Sequence, residues 1–153
     1  ISPVGKNTLE SPFCIHILNV ERDIKCLKKM IEKSYKWNTL EGYVDNNGKK
    51  HHVATTRTTF LKYPKILFIS FDKKSYVKIE EQLILDDNVY NLRSTIIHKG
   101  IQYGGHYMSI IKLGDDWLIQ DDDTLGKLNN FPTEDNHFVL AYNLKTPSSE
   151  CPP

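Results

Sequence analysis

Cysteine is scarce in this sequence, and the three cysteines present are not spaced as a metal-binding or redox pair. Cys14, Cys26 and Cys151 therefore predict neither a disulfide framework nor a zinc site. A chain without disulfides is typical of a reducing, intracellular compartment such as the cytoplasm or nucleus. We accordingly expect no bound metal and no other cofactor.

Strong net charge and long apolar runs are also missing. The 153 residues carry a formal net charge of +1, which gives no electrostatic basis for binding nucleic acid or an anionic membrane. No apolar segment approaches the roughly 20 residues needed to cross a bilayer, and no signal peptide is visible. Hydrophobic residues make up 39% of the chain, which predicts one folded domain or a piece of one. The abundance of Lys, Ile and Asn is a feature of AT-rich coding, as in some viruses, and a virion is the alternative location if the protein is viral.

The apolar patterns predict an α+β fold, with one N-terminal helix followed by a mostly antiparallel sheet. Residues 13–20 alternate as a strand, and residues 23–35 have the spacing of an amphipathic helix with Asp23 as its N-cap. Residues 65–71 are almost continuously apolar, which favours a strand buried on both faces. Turn residues at 45–48 predict a hairpin. Further strands are expected at 79–85, 90–98, 107–113, 116–120 and 138–144.

The candidate site is a histidine that follows two glycines and opens an apolar strand. Asp121 comes fifteen residues after His106, at the end of the next strand. If the two strands pair as a hairpin, both side chains lie at the same end of the sheet. A carboxylate in that position orients an imidazole and stabilises its protonated form, as in the base half of a nucleophilic triad.

This order of residues resembles the histidine box of the ubiquitin-specific proteases, a papain-like family. Looser matches lie upstream, at 13–20, 40–43 and 62–71. The resemblance implies the palm and fingers portion of such a domain over residues 13–145, between a lead-in at 1–12 and a flexible tail at 146–153. In the order and spacing of the box, the matching residues are Tyr90, Leu92, Ile96, Ile97, His98, Gly100, Gly105, His106, Tyr107, Trp117, Asp121 and Asp122.

The resemblance also implies roles and a partner. His106 matches the catalytic base, Asp121 the residue that orients it, and Asp122 an adjacent acid that assists the site. The implied partner is ubiquitin or a ubiquitin-like protein, whose extended tail would pass the site. The residues implied to contact that tail are Gly104, Gly105 and Tyr107.

Two features of that family are absent: the cysteine box that supplies the nucleophile, and the paired CxxC motifs of zinc-binding fingers. We therefore expect a metal-free hairpin at 43–57, and a nucleophilic cysteine upstream of or outside this chain, for example on an N-terminal companion fragment. The isolated chain is then expected to be inactive. Two alternatives stay open: a non-catalytic ubiquitin-binding or structural module, and a protease of His-Asp-Cys order that uses Cys151.

The other reactive side chains have simpler interpretations. Cys14 alternates with apolar neighbours and is expected in the core. His51 and His52 are adjacent in a strand and face opposite sides, so they are not expected to share one metal ion. His98 is expected to support the loop before His106. The run 121–123 lacks the spacing of a calcium-binding loop.

Overall fold

The computed structural model describes residues 5, 8–74, 76–101 and 104–145. Within these ranges the chain forms one helix and twelve strands. Their bounds are β1 (Ile15–Leu18), α1 (Leu27–Tyr35), β2 (Asn38–Leu40), β3 (Tyr43–Val44), β4 (Lys50–His51), β5 (Ala54–Thr56), β6 (Ile66–Phe71), β7 (Gln82–Leu85), β8 (Asn88–Ile101), β9 (Gly104–Leu113), β10 (Asp116–Asp121), β11 (Thr124–Leu128) and β12 (His137–Leu144).

An eight-stranded sheet forms the centre of the fold. Its order is β1-β6-β12-β8-β9-β10-β11, with β7 paired to β8. The pair β1–β6 is parallel, and all the other pairs of this sheet are antiparallel. The predicted α+β class with a mostly antiparallel sheet is confirmed. The last strand, β12, does not lie at an edge but between β6 and β8, so it joins the two halves of the sheet.

The predicted hairpin in the segment 43–57 is formed by short strands. β3 pairs with β4, and β2 pairs with β5 outside them. Asp45 stabilises the turn because its Oδ1 accepts hydrogen bonds from the backbone N–H groups of Asn47 and Lys49, both at 2.9 Å. His51 bonds Asp45 Oδ2 through Nε2 at 2.8 Å, which lowers the pKa of Asp45. His51 is therefore occupied by the turn itself.

The core lies on one face of the central sheet, where α1 packs. Leu67 and Ile69 of β6 are completely buried against it. Ile66 and Phe68 point to the opposite face and are 52% and 40% exposed. The prediction that this strand is buried on both faces is wrong, because the described residues cover only one face of the sheet.

The helix begins later than its amphipathic pattern predicted. Lys78 pairs with the segment before α1: its N–H donates to Lys25 O at 2.7 Å, and its carbonyl accepts from Leu27 N at 3.1 Å. This bridge holds Cys26 in an extended conformation, with φ −132° and ψ 125°. Asp23 is therefore not the N-cap, and the predicted start at 23 is wrong because a tertiary backbone pairing competes with the helix.

Several strand boundaries also differ from the prediction. β1 is shorter than 13–20, β7 begins at Gln82, and β11 was not predicted, since Gly126 and Lys127 interrupt its apolar pattern. β8 and β9 extend into the glycines before His106, because cross-strand pairing continues there without apolar alternation.

Cys14 is exposed, so its predicted place in the core is wrong. It precedes β1 and does not take part in that strand's alternation. Residues 8–12 of the lead-in adopt neither helix nor strand. The predicted flexible tail at 146–153, with Cys151, lies outside the described residues. The described part of the chain contains no helix long and apolar enough to span a membrane.

Candidate active site

Strands β9 and β10 bring His106 and Asp121 to the same end and face of the sheet. His106 is the third residue of β9, and Asp121 is the last residue of β10. The two strands are antiparallel, with Ile110 opposite Ile119. Because side chains alternate along a strand, His106 shares the face of Ile110, and Asp121 shares the face of Ile119. The two candidate side chains therefore project side by side, just beyond the buried core.

The imidazole and the carboxylate are joined by a hydrogen bond. His106 Nε2 bonds Asp121 Oδ1, so the contact expected from the sequence is present. The side chains are 46% and 49% exposed, which leaves the pair open to a reacting group. Since Nε2 faces the aspartate, Nδ1 is the nitrogen left to accept a proton from a nucleophile. This is the arrangement of a base held in one tautomer by its orienting carboxylate.

The electrostatics of the pair favour the protonated imidazole. The hydrogen bond to Asp121 raises the pKa of His106 above its ordinary value of 6.5, and the charge of Asp122 acts in the same direction. Asp122 follows the strand directly and has a φ of 48°, a left-handed conformation that aspartate tolerates. The turn after β10 thus adds a second carboxylate next to Asp121, and no further segment of the chain is needed to supply it.

The three side chains could also contact a cation. His106, Asp121 and Asp122 each offer one ligand atom, and these atoms lie within 4.8 Å of one another. A metal there would have to replace the His106–Asp121 hydrogen bond, since Nε2 is the nitrogen that faces the carboxylate. The absence of a metal site stays a prediction.

Gly104, Gly105 and Tyr107, the residues implied to contact substrate, differ in their surroundings. A Cβ on Gly105 would lie 2.2 Å from His98 Nε2, so this glycine allows the close approach of the His98 ring. Tyr107 points to the opposite face from His106, with its ring centroid 4.5 Å from that of His98 and 5.6 Å from that of Phe138. Its side chain is therefore not brought beside the imidazole of His106.

No thiol of the described residues is placed to serve His106. Cys26 Sγ donates a hydrogen bond to Glu80 Oε1 at 2.7 Å. Burial and this hydrogen bond raise the pKa of the Cys26 thiol, which is the opposite of what activates a nucleophile. Cys14 is exposed and makes no hydrogen bond with His106.

Sequence reasoning missed a buried pair next to the site, Asn136 and His137. Asn136 makes two hydrogen bonds with the backbone of His98, and His137 is 2% exposed between Thr95 and Pro132. Their local signal is a polar residue pair at the start of a strand, which is the ordinary composition of the end of a loop. Their contacts with His98 and Thr95 lie about forty residues away along the chain.

Comparison with known proteins identifies the family. The model of the ubiquitin carboxyl-terminal hydrolases matches residues 13–142. The chain therefore belongs to the ubiquitin carboxyl-terminal hydrolase family, and its resemblance to the ubiquitin-specific proteases is confirmed. No curated protein sequence matches the chain significantly.

Solved structures with the same fold include SAGA DUB modules. The Ubp8/Sgf11/Sus1/Sgf73 module bound to monoubiquitin matches with a TM-score of 0.79 and 16% identity, over 92% of this chain and 37% of that chain. A yeast SAGA DUB module with a mutant Sgf73 has a TM-score of 0.77 and 18% identity, over 88% and 36%. A module bound to ubiquitin aldehyde matches with a TM-score of 0.69 and 16% identity, over 86% of this chain and 36% of that chain. The chain thus has the ubiquitin-specific protease fold and spans little more than a third of these relatives.

Proposed function

We propose that this chain is the histidine-box part of a cysteine-type deubiquitinase, which cleaves the bond that follows the last glycine of ubiquitin. The observation that carries the proposal is the hydrogen bond between His106 and Asp121, at one end of the sheet and open to solvent. Membership of the family supports the reaction class. The structural relatives that contain monoubiquitin or ubiquitin aldehyde support the partner.

In this mechanism the nucleophilic cysteine comes from outside the 153 residues. As its sulfur attacks the carbonyl carbon, the thiol proton passes to Nδ1 of His106, and Asp121 stabilises the resulting imidazolium at Nε2. The C–N bond then breaks while His106 returns the proton to the leaving lysine amine. Water hydrolyses the thioester, with His106 again acting as the base. Asp122 adds negative charge that favours the protonated form.

Of the two glycines before His106, Gly104 leaves room for an extended substrate tail, whereas the His98 ring fills the corresponding space at Gly105. Among the described residues, the nearest atom to a Cβ built on Gly104 is Ile101 Cγ1, at 3.9 Å. Backbone without side chains lets a peptide approach closely. We include Gly104 and Gly105 in the substrate groove, and Gly105 and Tyr107 contribute through their backbone rather than beside His106.

The proposed partners are ubiquitin or a ubiquitin-like protein and the polypeptide that carries the cysteine box, in the same chain or as a companion. The proposed location is the cytoplasm or nucleus, where ubiquitin conjugates are processed. A non-catalytic ubiquitin-binding module is the second candidate. One observation favours it: neither cysteine of the described residues contacts His106.

A thiol-reactive ubiquitin probe tests the proposal. We expect no labelling of the isolated 153 residues, because a base and its orienting group cannot form a thioester without a positioned thiolate. Adding the polypeptide with the cysteine box should give labelling, which His106→Ala should abolish and Asp121→Asn should only reduce. His52→Ala, at an exposed histidine in the 43–57 segment outside the eight-stranded sheet, is the matched control and should label normally.

The other outcomes decide between the alternatives. Labelling of the isolated chain that disappears in Cys151→Ser would replace this mechanism with the His-Asp-Cys order. If the chain binds ubiquitin but does not react with the thiol-reactive probe, even when the cysteine-bearing part is present, the non-catalytic module is favoured.

A further inference from the structure

The segment that carries His106 extends beyond the rest of the sheet as a two-stranded ribbon. The pairing of β9 with β10 ends at Ser109, and the pairing of β8 with β12 ends at Ile97. Lys99 and His106 lie past both limits and pair with each other. An isolated pair of strands is marginally stable in water. The position of His106 therefore depends on what holds this ribbon at its sides.

Asn136 holds the β8 side of the ribbon. Its backbone carbonyl accepts from His98 N at 3.0 Å, and its Nδ2 donates to His98 O at 2.7 Å. One residue thus satisfies both backbone polar groups of His98, its N–H and its carbonyl. These bonds continue the pairing of β12 with β8 by one step past His137 and Ile97. Asn136 is 5% exposed, so water cannot easily take the place of its amide.

Asn136 is in turn anchored to the core through His137. The His137 ring is hydrogen-bonded on both sides: Nε2 donates to Pro132 O at 2.8 Å, and Nδ1 shares a hydrogen bond with the hydroxyl of Thr95 at 2.9 Å. It also stacks on Phe131, with ring centroids 5.4 Å apart. Burial lowers the pKa of His137, which favours the neutral form of the ring. The anchor is therefore part of the core rather than a free loop.

We propose that Asn136 is a positioning residue for His106: by holding the backbone of His98, it keeps the ribbon where His106 meets Asp121. Few residues separate Asn136 from His106 in this arrangement, because His98 pairs with Tyr107 and Lys99 pairs with His106. A second, outer contact acts on the same ribbon, since Lys99 Nζ lies 3.5 Å from Asp135 Oδ2. The catalytic meaning of this positioning rests on the proposed function, but the positioning itself is a property of this chain.

The test is the pKa of His106, measured by NMR titration of the imidazole in the 153-residue chain. Asp121→Asn gives the fall in pKa that follows complete loss of the charged partner. We expect Asn136→Ala to give more than half of that fall, since a loosened ribbon moves His106 away from Asp121. A residue that served stability alone would leave this pKa unchanged in the folded protein.

Tyr142→Phe is the matched control. Tyr142 donates to Glu80 O at 2.6 Å and is fully buried, but it pairs with Leu92, away from the ribbon. Removing its hydroxyl should lower the urea midpoint and leave the pKa of His106 at the wild-type value. An Asn136→Ala protein that folds and keeps the wild-type pKa would overturn the proposal.

Amide hydrogen exchange on the unaltered chain keeps the inference testable if Asn136→Ala does not fold. The His98 amide, which donates to Asn136 O, should be protected from exchange. Exchange at the rate of an unstructured amide would mean that the contact is not maintained, and the proposal would fail. A deubiquitinase assay that fails while the pKa shift is present would reject the proposed function and leave the positioning role intact.

Discussion

Replacing Gly105 by alanine is a direct test of the close approach beside His106. The added Cβ would lie 2.2 Å from His98 Nε2 and 2.7 Å from Lys99 O, and both distances are far below van der Waals contact. The His98 ring can rotate away. The Lys99 carbonyl is backbone of the paired ribbon, so relief also requires the two strands to separate locally.

The expected cost is that of overpacking a close contact, about 1–3 kcal/mol. With a urea dependence of about 1–3 kcal/mol per M for a small domain, the unfolding midpoint should fall by on the order of 1 M. The assay is equilibrium urea unfolding followed by circular dichroism. An unchanged slope would show that the loss is one of stability and not of cooperativity.

Gly104→Ala is the matched control, because among the described residues its Cβ would meet only Ile101 Cγ1, at 3.9 Å. Its stability should stay within about 0.5 kcal/mol of wild type. Adding His98→Ala to Gly105→Ala should recover only part of the loss, since the contact with the Lys99 carbonyl remains. A Gly105→Ala protein as stable as the Gly104→Ala protein would refute the strand register on which the site is built.

Three further predictions concern titration and metal. Asp121→Asn should lower the pKa of His106, measured by NMR, and an unchanged pKa would contradict the ion pair. In the wild type the raised pKa of His106 adds stability that is complete below the ordinary pKa of 6.5 and is lost as pH rises through the pKa of the folded protein. Burial lowers the pKa of His137, so its contribution to stability is present above the ordinary value of 6.5 and is lost as pH falls towards the folded value; urea midpoints between about pH 8 and pH 5 should fall less in His137→Gln than in wild type. Elemental analysis of the purified chain should find no stoichiometric zinc in the cysteine-free segment 43–57, and one zinc per chain would contradict that prediction.

At the candidate site, some features of the structure could be predicted from the local sequence pattern and others could not. His106 and Asp121 could be placed together because the alternation around Ile110 and Ile119 sets the faces of two adjacent strands. Their predicted roles in catalysis stay predictions. The length of the ribbon could not be foreseen, since Gly104 and Gly105 have no apolar pattern and their pairing with β8 decides their conformation.

Other features depend on contacts between distant segments. The start of α1 is set by the backbone of Lys78, and the hold on His98 is set by Asn136, 38 residues later. The burial of β6 depends on which other elements cover each face of the sheet, and the apolar run of β6 does not contain that information. In each case the deciding partner lies outside the window in which a periodic pattern is read.

The most direct test of the central claim is hydrolysis of a ubiquitin–fluorophore conjugate by this chain combined with the polypeptide that bears the cysteine box. We expect turnover by the wild type and none by His106→Ala, with ubiquitin still bound. Turnover by His106→Ala at the wild-type rate would contradict the assignment of His106 as the base, and with it the function built on its contact with Asp121.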